Sequence, residues 1–278
     1  MSVNTLINAT DFMDSDLLVC PECGEEKTDD GKGFFLNYQC RCDRERIERE
    51  RLEEEKKLLD KFILRHREDG LSDPEYLNWT FAADDKKRPD IFDLCKAYVE
   101  NWDEMRDNNM GLLFFGDVGV GKSFYAAAVA NAVLDKIVTA CGTASIDKQD
   151  KLIPVVMTTI PRIINDLQGA GFGGKQAVFD RLQKAELLVI DDLGTERDTS
   201  YSLEQLYMIF DARYRSGKPL IVTTNLAPAD LKSKDNLSYH RIYDRILQNC
   251  IPVKMTGQSR REDIAKRKRQ HFNTLLGL

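Results

Sequence analysis

Gly116-Asp117-Val118-Gly119-Val120-Gly121-Lys122-Ser123 is the stretch that decides the fold. It fits G-x-x-x-x-G-K-[ST], a loop whose glycines let the backbone curl until successive N–H groups point at phosphate oxygens. The apolar run Gly111–Phe115 before it has strand character. Phe124 to Leu134 after it is Ala-rich and free of Gly and Pro, which predicts a helix whose N-terminal dipole favours an anion. Lys122 is expected to reach the β- and γ-phosphates of ATP, and the Ser123 hydroxyl to ligate Mg²⁺. Gly116 through Phe124 is therefore the expected nucleotide-binding segment. The plainer alternative, a Gly-rich turn with a chance Lys-Ser, does not explain the strand before and the helix after.

A second motif follows about 70 residues later. Leu187-Leu-Val-Ile-Asp191-Asp192 reads as a buried parallel strand that delivers two carboxylates at its C-terminal end, where open α/β sheets bind ligands. Asp191 is expected to hold Mg²⁺ and Asp192 to polarise an attacking water as general base. Strands often end in Asp for turn reasons, so the order after Lys122 gives this motif its weight. Pro219 to Asn225 is another apolar strand; an Asn at its end either orients water near the γ-phosphate or forms a turn. The two preceding motifs favour the first role.

The chain has 278 residues, 42% hydrophobic and 31% charged, enough for a sizeable core. A net charge of -6 argues against whole-protein attraction to nucleic acid, so such binding requires a local basic patch. No apolar run in the sequence approaches the roughly 20 residues of a bilayer span. The N-terminus shows no secretory pattern, and a cytoplasmic, membrane-free protein is expected. Residues 1–16 read as a poorly ordered end.

Four of the seven cysteines stand as Cys20-x-x-Cys23 and Cys40-x-Cys42. Four thiolates satisfy tetrahedral Zn²⁺, and a segment this small has too little core to fold without a staple. Unrelated thiols or a redox pair are the alternatives, disfavoured by the clustering. Such a site is structural, with no open position for catalysis. From Asp43 to about His66 opposite charges recur at helical spacing without Gly or Pro, predicting a solvated linker helix or a partner-binding arm, ended by Gly70 and Pro74. The expected organisation is a zinc-binding domain over 1–45, a charged helical linker over 46–75 and an α/β domain over 76–278.

Within that last domain, Tyr76 to Ala83 is expected to pack beside the nucleotide. Ile91 to Met105 reads as one core-facing helix, with Cys95 a buried thiol. Ile153–Thr158 reads as a strand, Pro161–Leu167 as a helix and Gly169–Lys175 as a loop, mobile or simply connecting. Ser202 to Arg215 has an apolar face of Leu203, Leu206, Ile209, Phe210 and Tyr214. Leu237–Asn249 is a helix carrying Arg241 and Arg245, and Ile251–Met255 a fifth strand. The basic run Arg260–Arg269 is either solvated or in contact with DNA phosphates.

Taken together, Gly116–Ser123, Leu187–Gly194, Ser216–Asn225, His240–Arg245 and Gly257–Arg261 resemble the AAA+ ATPases of the bacterial and phage helicase-loader clade. That group also holds the helper ATPases of insertion-sequence transposases. The resemblance covers roughly residues 80–265. It implies an AAA+ P-loop NTPase fold with a five-stranded parallel sheet between helices. It also implies Asn225 as sensor 1, Arg245 as an arginine finger acting on ATP of a neighbouring subunit, and Arg261, rather than Arg260, as sensor 2. A finger in trans implies self-association in the ATP state. Asp192 stands where most AAA+ proteins carry Glu, which implies slow hydrolysis suited to a switch. The N-terminal cysteines resemble the layout of loaders whose small zinc domain docks on the replicative DNA helicase. That layout implies single-stranded DNA as the loading substrate, with a transposase helper on duplex DNA as the rival.

Overall fold

The computed structural model describes residues 19–25, 28–29, 38–142, 152–194, 200–229 and 237–276; the expectation for residues 1–16 lies outside them. The chain divides into two compact units, Met1–Asp60 and Lys61–Leu278.

In the first unit, β1 (Thr28–Asp29) pairs antiparallel with β2 (Tyr38–Gln39). The chain then enters α1 (Arg41–Gly70), a helix that carries the boundary between the units. Exposed pairs such as Arg46–Asp43 (2.9 Å) and Arg51–Glu48 (2.7 Å) run along its surface at i,i+3 spacing. Such solvated pairs are weak, so helical propensity and these pairs together sustain this exposed stretch of the helix.

The second unit is built on a five-stranded, all-parallel sheet in the order β4-β5-β6-β3-β7. Its strands are β3 (Gly111–Gly116), β4 (Val155–Thr159), β5 (Leu187–Leu193), β6 (Leu220–Thr224) and β7 (Cys250–Met255). β6 thus lies between the strand that feeds the phosphate loop and the strand that carries the two aspartates. Near-continuous burial of β3 through β6 reflects helices on both faces. Leu113, Val156, Leu188, Ile190 and Val222 face one core. There they meet Ile163 and Leu167 of α6 (Ile160–Gly169), Leu182 of α7 (Gly171–Lys184), Leu206 and Phe210 of α8 (Ser200–Ser216), and Ile242 and Ile246 of α9 (Leu237–Asn249). The opposite face takes α5 (Lys122–Cys141), which packs along β3 to β6.

Several expectations shift. The predicted loop Gly169–Lys175 is largely helix: α7 begins at Gly171, because Val178, Phe179 and Leu182 dock on the core and outweigh the entropic cost of glycine. The single helix over 91–105 is two, α3 (Pro89–Glu100) and α4 (Trp102–Asp107). At the break, the Asn101 side chain donates to Ala97 O (2.9 Å), a local bond that competes with helix continuation. α5 extends to 20 residues, long and apolar enough by composition to match a bilayer span. It is nonetheless a core helix, with Ala126–Ala130 and Val133–Leu134 fully buried. Tyr214 does not join the apolar face of α8: it is 40% exposed and stands against Arg245 instead. The basic run lies in α10 (Arg260–Leu276), a helix whose described residues after Arg260 are exposed.

The end of α1 locks to the edge of the sheet. Leu71 bridges Met157 in parallel register, and the Ser72 N–H donates to Met157 O (3.0 Å). A β-carbon on Gly70 would lie 2.3 Å from Val155 O, so only glycine lets the backbones approach this closely. Arg67 adds a forked pair to Asp135 of α5 (2.7 and 2.6 Å).

Candidate nucleotide-binding site

The C-terminal ends of β3, β5 and β6 open into a cleft of about 730 Å³. Its lining joins Gly119, Gly121, Lys122 and Ser123 with Asp191, Asp192 and Asn225, so three strands deliver every strand-end residue singled out from the sequence to one place. The loop must curl tightly to do this. Gly116, Gly119 and Gly121 have φ of 131°, 80° and 100°, in the region that favours glycine. Gly116 is also a close approach, since a β-carbon there would lie 2.1 Å from Met255 O. The segment after β7 holds the loop from outside: Asp117 N donates to Met255 O (3.1 Å), and Arg260 N donates to Gly119 O (2.8 Å).

Lys122 is 7% exposed and its ammonium donates to Gly116 O (3.0 Å), Asp117 O (2.6 Å) and Asn225 Oδ1 (2.8 Å). Burial pulls its pKa below the ordinary value, opposed by the charges of Asp192, Asp117 and Asp191. A buried cation held by neutral acceptors, beneath a curl of backbone N–H groups, fits a polyphosphate.

Asp191 is 6% exposed, and both its oxygens are occupied: Tyr76 donates to Oδ2 (2.9 Å) and Thr223 to Oδ1 (2.6 Å). The same Thr223 oxygen accepts from Asp192 N (2.8 Å). The register of β5 against β6 slips here, and Asp192 takes a φ of 54°, turning its carboxylate from the strand toward Asn225. Asn225 Nδ2 approaches Asp192 Oδ1 at 3.4 Å, so this amide stands between Lys122 and Asp192. Burial, then the Asp191 charge, pushes the Asp192 carboxyl above its usual range; Lys122 and Arg261 oppose this. A hydroxyl and a carboxylate, Ser123 and Asp191, in one cleft make an oxygen donor set suited to Mg²⁺.

The two arginines at the start of α10 part company. Arg260 is built into the wall, paired with Asp84 (3.5 Å) and Asp85 (3.1 Å), donating to the Tyr125 hydroxyl (3.2 Å) and lying over Phe124 and Tyr125. Arg261 is exposed, lines the cleft and feels Lys122 and Asp192 electrostatically. Arg245 is not part of this lining. It is clamped on α8 by Asp211 (2.5 Å) and by the rings of Tyr207 and Tyr214.

In the first unit, the Sγ atoms of Cys20, Cys23, Cys40 and Cys42 all lie within 4.8 Å of one another. The N–H of Asp43 donates to Cys40 Sγ (3.4 Å) at the start of α1. The Glu25 backbone pulls the Cys23 thiol down to about 7, while the Cys23 neighbour pushes Cys42 up to about 12. Four thiols this close cannot all ionise without a cation, and their donor set suits a tetrahedral soft metal.

Sequence reasoning missed Tyr76 and Thr223 as partners of Asp191, whereas Trp79 and Ala83 line the cleft as expected for the stretch Tyr76 to Ala83. Tyr76 lies 115 residues from Asp191 in the chain, and no local pattern encodes that pairing.

The sequence profile described as IstB-like ATP binding protein matches residues 43–270. Curated relatives include the phage-like element PBSX protein XkdC of Bacillus subtilis, 28% identical over 173 residues, 59% of each chain. The replicative helicase loader DnaI of Bacillus subtilis is 25% identical over 181 residues, 62% of this chain and 52% of that one. The replicative helicase loader DnaC of Escherichia coli K12 is 26% identical over 171 residues, 61% and 62%. These matches span between half and two thirds of the relatives' own length. Among solved structures, the DnaC helicase loader superposes with a TM-score of 0.52 at 21% identity, covering 66% of this chain and all of that one. DnaI gives 0.52 at 20%, covering 69% and 95%. At these identities the likeness shows the fold.

Proposed function

The chain belongs to the IstB-like ATP binding protein family, and from that premise we propose that it is a slow, Mg²⁺-dependent ATPase that loads a replicative DNA helicase onto single-stranded DNA. The observation that carries the enzymatic part is the convergence of Lys122, Ser123, Asp191, Asp192 and Asn225 in one cleft. The helicase-loader relatives and the four-cysteine cluster ahead of the ATPase unit support the loading role over that of a transposase helper.

In this mechanism the Gly116–Phe124 backbone cradles the β- and γ-phosphates and Lys122 exchanges its neutral acceptors for phosphate oxygens. Ser123 and Asp191 would hold Mg²⁺, which would offset negative charge on the phosphates. Asp192 takes a proton from the attacking water, and Asn225, 3.4 Å away, orients that water. Arg261 stabilises charge on the γ-phosphate from within the cleft. Arg245 lies outside the lining of its own cleft and is paired with Asp211; its assigned role is an arginine finger serving a neighbouring copy, which makes the ATP form self-associate. ATP binding orders an assembly that contacts DNA, and hydrolysis releases it. Zn²⁺ is the metal assigned to Cys20, Cys23, Cys40 and Cys42, and the unit it staples is the helicase-docking part.

Light scattering on mixtures with the host's replicative helicase and ATP tests this, with a chain lacking residues 1–60 as comparison. A complex requiring the N-terminal unit is expected. No complex in any nucleotide state would refute the loader role, and the same assay with a transposase and duplex DNA would then test the rival. Turnover that survives Lys122→Ala would refute the ATPase assignment.

A further inference from the structure

Tyr76 lies outside every motif described above, yet it reaches from the segment before β3 to the aspartate expected to hold Mg²⁺. Its hydroxyl donates to Asp191 Oδ2 at 2.9 Å, in a buried setting. Thr223 occupies Oδ1 from the other side (2.6 Å), and the two donors together fix the plane of the carboxylate.

The short helix that presents Tyr76, α2 (Pro74–Asn78), is itself pinned. Asp73 caps it by accepting from Glu75 N (2.8 Å). The side-chain amide of Asn131, 1% exposed on α5, donates to Tyr76 O (2.8 Å) and Trp79 O (3.1 Å). α5 is the helix that begins with Lys122 and Ser123. The Tyr76 ring also packs on Trp79 (5.4 Å between centroids), which packs on Phe124 (6.4 Å), next to Ser123. Hence Tyr76 links three parts of one site: the phosphate-loop helix, the wall formed by Glu75, Asn78 and Trp79, and the aspartate at the end of β5.

We propose that Tyr76 is a positioning residue for Mg²⁺, orienting through its hydroxyl the Asp191 carboxylate, which lines the same cleft as Ser123. This rests on the Mg²⁺–ATP assignment above and adds to it a residue that acts through Asp191. Loss of one of the two donors that fix its plane loosens the orientation of the carboxylate.

The test is the affinity of a fluorescent ATP analogue for the full chain, measured in excess Mg²⁺ and in EDTA, for wild type, Tyr76→Phe and Thr223→Val. Phenylalanine keeps the ring packing and deletes only the hydroxyl. The expected result is an EDTA affinity within about twofold of wild type and an enhancement by Mg²⁺ reduced about tenfold, as for loss of one hydrogen bond to a charged group. Thr223→Val, which deletes the opposite donor together with the acceptor of Asp192 N, is expected to show the same metal-selective loss and keeps the test open if Tyr76→Phe fails to fold. Unchanged Mg²⁺ enhancement in both variants would overturn the proposal. So would an equal fall in Mg²⁺ and EDTA, which is the mark of a packing role. A wild-type chain that binds the analogue in neither condition would overturn the nucleotide assignment itself, a result distinguishable from the other two.

Discussion

Replacing Arg213 with methionine separates what holds the sheet together from what binds nucleotide. Arg213 is 1% exposed, and its guanidinium donates to Ala185 O (2.6 Å), Glu186 O (3.0 Å) and Pro219 O, with longer contacts to Gln183 O and Leu182 O. These carbonyls stand where α7 passes into β5 and where β6 begins. Burial pulls the guanidinium down to about 9, so it remains charged at neutral pH. A methionine side chain would fill much of the volume and donate nothing. Pro219 O keeps the Leu188 N–H (3.3 Å), but the Ala185 and Glu186 carbonyls lose their donors, at about 1–3 kcal/mol each. Relief from burying a cation offsets part of this. The offset does not win, because the backbone acceptors cannot be removed along with the cation. A net loss of about 2–4 kcal/mol follows, or a melting temperature roughly 5–15 °C lower for a unit of this size. Ala185 lies six residues before Asp191, about 20 Å along the strand. Nucleotide affinity measured well below the transition should therefore match wild type. Urea and thermal unfolding of Arg213→Met, paired with ATP titration at low temperature, check both halves. A variant as stable as wild type would refute the carbonyl argument, and weakened binding in the folded variant would refute the separation.

Three further outcomes are expected. Arg260→Ala strips the cation from Asp84, whose side chain is 1% exposed, and should cost about 3 kcal/mol in unfolding experiments; Arg261→Ala should leave melting unchanged and lower ATP turnover. Because the Asp192 carboxyl is raised, it should hold its proton at pH values where an ordinary aspartate is ionised. The acid limb of a pH–turnover profile should accordingly begin at higher pH than for a free aspartate, and the same group should favour the fold at low pH and lose that contribution as pH rises through its folded pKa. Cys40→Ser should drop bound metal from about one Zn per chain to none by elemental analysis, with ATP affinity of the unit Lys61–Leu278 unaltered.

The residues that bring chemistry to the cleft were legible because each chemistry is bound to a local backbone need. A phosphate cradle requires Gly116, Gly119 and Gly121 at positive φ in a fixed spacing before Lys122, and a buried parallel strand leaves a continuous apolar run before its terminal aspartates. The four cysteines were legible because tetrahedral thiolate sites need close pairs, and the structure brings their sulfurs within 4.8 Å. The strands were each legible as apolar runs between helical stretches, while their assembly into one parallel five-stranded sheet was implied by the family resemblance.

What escaped the sequence depends on pairings between distant segments. Glycine content argues for a loop over Gly169–Lys175; only the core that receives Val178 and Leu182 makes it helical. Arg260 and Arg261 are adjacent and chemically alike, and the buried Asp84 decides which is wall and which is free in the cleft. Tyr76 opens a stretch expected beside the nucleotide, but its partner exists only once the sheet brings Asp191 to its hydroxyl. By itself the sequence determined which groups the chain brings to the cleft and to the cysteine cluster, because those patterns are local. Tertiary structure decided which side chains hold those groups in place, because a hydrogen bond across 115 residues exists only once the chain has folded.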